Sequence, residues 1–109
     1  MKSDERVKYS VLLDIYGDLL TEKQKSVFSM YVNEDLSIVE IAEMQEMSRQ
    51  AVSDTVKTVT ARITDLEDKL KIGTRQSMIE DKIDEMLENT EDEDTREDLN
   101  FIRNILLGD

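Results

Sequence analysis

The chain has 109 residues and a formal net charge of −12, with no cysteine, histidine, proline or tryptophan and only three glycines. This composition excludes disulfide bonds and metal sites built on thiolate or imidazole, and it favours helices over a turn-rich β fold. No segment approaches the roughly 20 apolar residues of a membrane-spanning helix, and the charged start of the chain does not resemble a signal peptide, so we expect a soluble cytoplasmic protein.

The first third of the chain predicts two amphipathic helices. Apolar residues recur at spacings of three and four between residues 4 and 20, namely Val7, Val11, Leu12, Ile15, Tyr16 and Leu19. Thr21 and Gln24 then match a capping box, which starts a second helix whose apolar set is Val27, Phe28, Tyr31 and Val32. We expect these apolar side chains to form a core rather than a binding surface.

Residues 37–59 predict two short helices joined by a tight turn, the layout of a helix-turn-helix. Ser37 and Glu40 match a second capping box, and Ser48 supplies the N-cap of the second helix. The apolar residues Ile38, Ile41, Ala42, Met47, Val52 and Val56 fall on the faces and in the turn that the two helices would bury against each other. Glu46 occupies the turn position that is commonly glycine, because the backbone there is left-handed.

The outward face of the second helix is the candidate binding surface. It presents Arg49, Gln50, Ser53 and Lys57, and in a DNA-binding helix-turn-helix this face enters the major groove. Arg49 has the donors to read guanine, and the amide of Gln50, with its donor and its acceptor, can pair with adenine. Two capped amphipathic helices also occur in many all-helical domains that bind no DNA, so the pattern leaves both interpretations open.

The second helix of the motif is predicted to continue far beyond it. Val52, Val56, Val59, Ile63, Leu66 and Leu70 alternate at spacings of four and three up to Gly73, a candidate C-cap. The N-terminal core can cover only part of this apolar seam. We therefore expect either the C-terminal helices or a second subunit to cover the rest, and a homodimer, if one forms, to use Ile63, Leu66 and Leu70.

Two further helices are predicted in the last third of the chain. The first covers residues 75–88, with Met78, Ile79, Ile83, Met86 and Leu87 on one face. The second runs from about Thr95 to Leu107, with Asp94 or Thr95 as its cap and Gly108 just past its end. Its apolar residues are Leu99, Phe101, Ile102, Ile105 and Leu106.

The charge is unevenly distributed along the chain. Residues 1–63 contain 8 basic and 11 acidic residues, a net charge of −3, whereas residues 64–109 contain 6 and 15, a net charge of −9. We expect residues 1–63 to form a helical domain containing the helix-turn-helix and residues 64–109 to form an acidic helical extension packed on it. The candidate DNA-binding part is the less acidic one, but it lacks the basic surface typical of DNA-binding proteins.

The segments 19–24, 37–43 and 48–52 together resemble the YlxM family of small bacterial proteins, whose helix-turn-helix is similar to region 4 of sigma factors. The resemblance covers nearly the whole chain and is most specific between Ser37 and Lys57. It implies an all-α protein with a sigma region 4-like helix-turn-helix, a DNA-binding role and a link to the signal recognition particle pathway. For the family, that link rests on gene neighbourhood.

The resemblance also assigns roles to residues of this chain. It implies that Ser48 and Lys57 contact phosphates and that Arg49, Gln50 and Ser53 face base edges. The chain departs from the family pattern at two positions, because Glu46 replaces the turn glycine and Thr58 follows Lys57 where a basic residue is expected.

Two functions fit these observations. The first is a DNA-binding regulatory protein, and the second is a non-catalytic module that binds a protein or a ribonucleoprotein and retains the fold with little DNA affinity. We expect no enzyme and no cofactor, because the sequence has no nucleophile paired with a base and no glycine-rich phosphate loop.

Overall fold

The computed structural model describes residues 3–108, and this range is entirely helical apart from short connections. It contains six α-helices, and no strand occurs among these residues: α1 (Ser3–Tyr16), α2 (Glu22–Val32), α3 (Ile38–Gln45), α4 (Arg49–Leu70), α5 (Ile72–Asn89) and α6 (Glu93–Leu107). A single 3-10 turn, Gly17–Leu19, follows α1. The predicted all-α class is confirmed.

The chain forms two compact units that divide between Lys71 and Ile72. Unit 1 contains α1 to α4, and unit 2 contains α5 and α6. The division that the charge distribution suggests, after residue 63, falls inside α4. A helix that is continuous from Arg49 to Leu70 keeps residues 64–70 in unit 1.

Unit 1 is built around a core to which all four of its helices contribute. The fully buried side chains include Tyr16 of α1, Phe28 of α2, Ile41 of α3 and Val52 of α4. Tyr9 packs edge-on against Phe28, with ring centroids 6.3 Å apart. Burying these large apolar groups provides most of the free energy that holds the four helices together.

Three of the apolar side chains expected in this core are exposed instead. Val7, Val11 and Leu19 are 65%, 45% and 52% exposed. A helix turns only one stripe toward the core, and in α1 that stripe contains Leu12, Leu13 and Tyr16. The 3-10 turn then breaks the α-helical periodicity, so that Leu20 is buried in place of Leu19.

The α4 seam is covered within unit 1 along most of its length, as far as Leu66. Ile63 is fully buried, and Leu66 packs partly buried against the same core. On the α1 side, the Tyr16 hydroxyl donates a 2.7 Å hydrogen bond to Glu67 Oε1. Of the seam residues, only Leu70 remains largely uncovered, at 44% exposed. Because Ile63 is fully buried, a second subunit could not contact it.

Helix α4 ends before the predicted cap. Lys71, not Gly73, adopts the left-handed conformation, with φ of 58°, and its amide donates to the Glu67 carbonyl. Gly73 lies inside α5, which starts at Ile72. Glycine is the commonest residue at such a cap, but a lysine occupies it here at a modest cost in backbone free energy.

Unit 2 is a helical hairpin. The N-cap of its second helix, α6, lies upstream of the predicted candidates Asp94 and Thr95. Asp92 caps α6 by accepting a hydrogen bond from the Thr95 amide at 3.0 Å, and Gly108 ends the helix with φ of 80°. Hydrogen bonds from the Thr95 hydroxyl and amide lower the pKa of Asp92. Arg96 Nη1 donates to the Leu87 and Thr90 carbonyls, which ties the start of α6 to the end of α5.

Candidate nucleic-acid interface

The helix-turn-helix consists of α3, a three-residue turn and the first part of α4. At Glu46 the backbone is left-handed, with φ of 54° and ψ of 45°, and its amide donates to the Ala42 and Glu43 carbonyls. The Met47 amide donates to the Ala42 carbonyl at 3.0 Å, and the Met47 side chain packs against the core. The predicted left-handed turn is therefore present with a glutamate in the position that favours glycine.

Both helices of the motif begin with the predicted side-chain caps. At the start of α3, Ser37 Oγ accepts from the Glu40 amide and Glu40 Oε1 accepts from the Ser37 amide, each at 3.1 Å. Hydrogen bonds from Ser37 to the Glu40 carboxylate, first that from the Ser37 amide and then that from its hydroxyl, lower the pKa of Glu40. At the start of α4, Ser48 Oγ accepts from the Ala51 amide at 3.0 Å. The caps satisfy backbone donors that would otherwise have no partner at the helix ends.

Polar contacts with α2 fix the orientation of α3. Gln45 Nε2 donates to Ser26 Oγ at 2.9 Å, and Lys23 Nζ donates to Gln45 Oε1 at 3.2 Å. Lys23 thus lies beside the last residue of α3, immediately before the turn. Sequence patterns gave no signal for this cation, because the contact joins residues of different helices.

The five predicted site residues all lie at the start of α4 or in its first three turns. Val52 and Val56 point into the core, and Gln50, Ser53 and Lys57, at spacings of three and four, form a neighbouring stripe of the helix. Ser48, Arg49, Gln50 and Lys57 are exposed, whereas Ser53 is half-buried. We refer to Arg49, Gln50, Ser53 and Lys57 as the outward face of α4.

Two cations on this face have no ion-pair partner within residues 3–108, namely Arg49 and Lys57. Their charged groups are therefore available to an anionic ligand without breaking an existing bridge. Lys25, Lys69 and Lys82, by contrast, are bridged to carboxylates, Lys69 to Asp65 at 2.9 Å. Arg49 in particular pairs with none of the carboxylates in the described residues.

Sequence reasoning missed the part that Asp54 plays at this face. Gln50 Nε2 donates a hydrogen bond of 2.9 Å to Asp54 Oδ1, one helical turn away. The bond uses one of the amide hydrogens of Gln50 and leaves Gln50 Oε1 as a free acceptor. The spacing of four residues between a glutamine and an aspartate was the signal that could have revealed this pair.

Residues 3–108 contain neither a candidate metal cluster nor a membrane-spanning helix. No group of three or more acidic side chains between residues 3 and 108 is arranged to hold a metal ion. Over the same range, each helix is too short or too polar to cross a bilayer.

Comparison with known proteins places the motif in a family. Residues 3–102 match the model of the family UPF0122, described as "Putative helix-turn-helix protein, YlxM / p13 like". A UPF0122 protein of Clostridium kluyveri is 40% identical over 108 residues, covering 96% of this chain and 97% of that protein. Another, from Clostridium novyi, is 35% identical over 111 residues, covering 95% of this chain and 96% of that protein.

Proposed function

Because the chain belongs to the UPF0122 family of YlxM/p13-like helix-turn-helix proteins, we propose that it is a DNA-binding regulatory protein. The observation that carries the proposal is the outward face of α4. It begins at a capped, left-handed turn and presents Arg49 and Lys57 without competing carboxylate partners. A helix presented in this way has the geometry that reads the major groove.

Each residue of the face has a role that follows from its chemistry. Lys57 and the Ser48 hydroxyl bind phosphates, which fixes the position of the helix on the duplex. Arg49 donates two hydrogen bonds to a guanine, while Gln50 and Ser53 face the neighbouring base edges. Lys23, held by Gln45 close to the turn, is a further candidate for a phosphate contact.

The net charge of −12 sets the conditions under which this binding is detectable. A chain of this charge is repelled by DNA at long range, and the attraction comes from a small number of local cations. We therefore expect modest affinity that decreases steeply as the salt concentration rises.

The test is DNA binding of the full chain, measured by fluorescence anisotropy over a series of salt concentrations with random and genomic duplexes. Lys57→Ala is expected to reduce the slope of log K against log salt by about 1, because one phosphate contact is lost. Arg49→Ala is expected to cost about 1–3 kcal/mol at the preferred sequence and much less at other sequences.

Lys69→Ala is the matched control for Lys57→Ala. It removes the same charge from the same helix at a position that lies outside the motif and is already bridged to Asp65. The slope should remain that of the wild type. If the wild type retains no DNA even at low salt, the proposed function is wrong.

A second candidate function is a protein- or ribonucleoprotein-binding module with little DNA affinity. It is favoured by the exposed apolar side chains of α5 and α6, which the DNA-binding role does not use. The resemblance adds an expected link to the signal recognition particle pathway. Titration of the chain with purified signal recognition particle protein and RNA tests that link, and saturable binding in the absence of DNA affinity would favour this second function.

A further inference from the structure

The side chain of Gln45, the last residue of α3, is fixed by three contacts with α2. Its Nε2 donates to Ser26 Oγ at 2.9 Å and to Met30 Sδ at 3.5 Å, and its Oε1 accepts from Lys23 Nζ at 3.2 Å. Lys23, Ser26 and Met30 follow one another at spacings of three and four, so they share one side of α2. The end of α3 is therefore held against this side of α2.

These contacts are compatible with only one orientation of the Gln45 amide. The amide nitrogen has two hydrogens to donate, and the amide oxygen accepts. If the amide were turned over, its nitrogen would face the Lys23 ammonium, which can donate hydrogen bonds but cannot accept them. Gln45 thus presents its oxygen to Lys23 and holds the ammonium beside the end of α3.

Lys23 can still bind an anion while Gln45 holds it. The ammonium has three hydrogens to donate, and the bond to Gln45 uses one of them. Lys23 is exposed and forms no ion pair within residues 3–108, neither with Glu22 beside it in the chain nor with Glu46 beside Gln45. A side chain that is already ordered loses less conformational entropy when it binds a ligand.

The positions of Lys23 and Lys57 match the width of a DNA groove. A three-residue turn separates Gln45 from Arg49, the first residue of α4, so Lys23 lies near the N-terminal end of that helix. Lys57 lies eight residues after Arg49, which is about 12 Å along the helix axis. The major groove of B-form DNA is also about 12 Å wide. The two lysines therefore have the spacing of the two strands that border this groove.

We propose that Gln45 is a positioning residue that holds Lys23 against the phosphates of one strand, while Lys57 contacts the other strand across the major groove. This inference rests on the proposed DNA-binding function and adds its substrate class, a B-form duplex. The major groove of an A-form RNA duplex is deep and narrow, so a helix cannot lie in it with a strand on either side. A single strand lacks the second backbone.

The test is fluorescence anisotropy of the full chain with a DNA duplex over a series of salt concentrations. Lys23→Ala and Lys57→Ala are each expected to reduce the slope of log K against log salt by about 1, and the two together by about 2, because the contacts are independent. The loss of affinity for Lys23→Ala should be similar for all duplex sequences, since phosphates are the same at every base pair. Circular dichroism checks that each variant folds.

Lys25→Ala is the matched control for Lys23→Ala. It removes the same charge from the same helix two residues away, from a lysine that is already bridged to Asp18 at 3.0 Å. The slope should remain that of the wild type. With an RNA duplex of the same sequence, the double substitution of Lys23 and Lys57 should reduce the slope by no more than about 1, because both contacts cannot form together.

Gln45→Met tests the positioning role, because methionine has a similar length and makes no hydrogen bond to Lys23. It is expected to weaken DNA binding roughly threefold or more, since Lys23 is no longer held in place. In a chain that also contains Lys23→Ala, it should have little effect. If Gln45 acted only on the fold, the loss would be the same in both backgrounds.

The outcomes separate this inference from the function on which it rests. A wild type that binds no DNA even at low salt would overturn both. DNA binding that depends on Lys57 but not on Lys23 would overturn the inference alone and leave the proposed function standing. The inference would also be wrong if Lys25→Ala reduced the slope as much as Lys23→Ala, if Gln45→Met had equal effects in both backgrounds, or if the double lysine substitution reduced the slope on RNA by about 2.

Discussion

At the scale of single residues, the pair Gln50 and Asp54 decides what the outward face of α4 presents to a duplex. Because Gln50 donates to Asp54, its oxygen remains as an acceptor, and Asp54 adds a second acceptor beside it. Acceptors pair with the amino groups of adenine and cytosine in the major groove. The pair also places a negative charge where phosphates approach, which limits affinity.

Asp54→Asn is expected to increase DNA affinity and to relax base preference at the position facing Gln50. Removing one charge near the duplex is worth about 1 kcal/mol, roughly a fivefold gain at low salt. Selection of binding sites from a random pool measures the preference, and anisotropy measures the affinity. Asp68→Asn makes the same change further along α4 and should alter neither quantity, whereas an unchanged affinity for Asp54→Asn would remove the aspartate from the proposed interface.

Glu46→Gly is expected to stabilise the chain by about 1 kcal/mol, because glycine adopts the left-handed conformation of the turn without a steric penalty. Urea denaturation followed by circular dichroism measures the change. Glu43→Gly, on the neighbouring helix, should instead destabilise by about 1 kcal/mol, since glycine is unfavourable inside a helix. Equal effects of the two substitutions would show that Glu46 is not under backbone strain.

At the scale of helices, the caps determine where the elements of the motif begin and add a dependence on pH. The folded chain lowers the pKa of Glu40 through hydrogen bonds from Ser37. A carboxyl group whose pKa is lower in the folded than in the unfolded state stabilises the fold above its unfolded pKa. That contribution is lost as the pH falls through the folded value.

Glu40→Gln is therefore expected to lower the urea midpoint at neutral pH and to have a smaller effect in acid, below the titration range of an ordinary glutamate. Glutamine keeps an acceptor for the Ser37 amide but has no charge that titrates. The measurement is a series of urea midpoints at decreasing pH for both chains. Glu43→Gln, on the same helix at a side chain with no capping hydrogen bond, serves as the control, and a difference that grows toward acid would contradict the assignment.

The sequence predicts those features of the elements that depend on nearby residues. The caps at Thr21, Ser37 and Ser48 and the left-handed turn at Glu46 are confirmed, because each involves residues within four positions of one another. The cap of α6 was placed two or three residues too late, since several acidic residues in succession offer equivalent oxygens. Features that depend on distant contacts could not be predicted, such as the exposure of Val7 and the contact of Gln45 with α2.

At the scale of the whole molecule, the two units differ in how much core they possess. Unit 1 has a continuous cluster of buried apolar residues drawn from all of its helices. Unit 2 has two buried apolar residues among those described. Local stability follows the burial of apolar contacts, so the two units should open with different free energies.

Amide hydrogen exchange is expected to be substantially faster in α5 and α6 than in the buried parts of α2 and α4. Mass spectrometry of peptides from each helix measures the difference. Equal protection of both units would contradict this expectation.

Helix α4 has one side buried in the core and another side exposed, and this separation has a consequence for how such a protein can change its target. Val52 and Val56 hold the helix in place, whereas Gln50 and Lys57 are exposed and do not contribute to the core. Substitutions at the outward positions therefore leave the fold intact. A lineage, or a protein engineer, can exchange these few residues and retarget the same scaffold without having to redesign the rest of the chain.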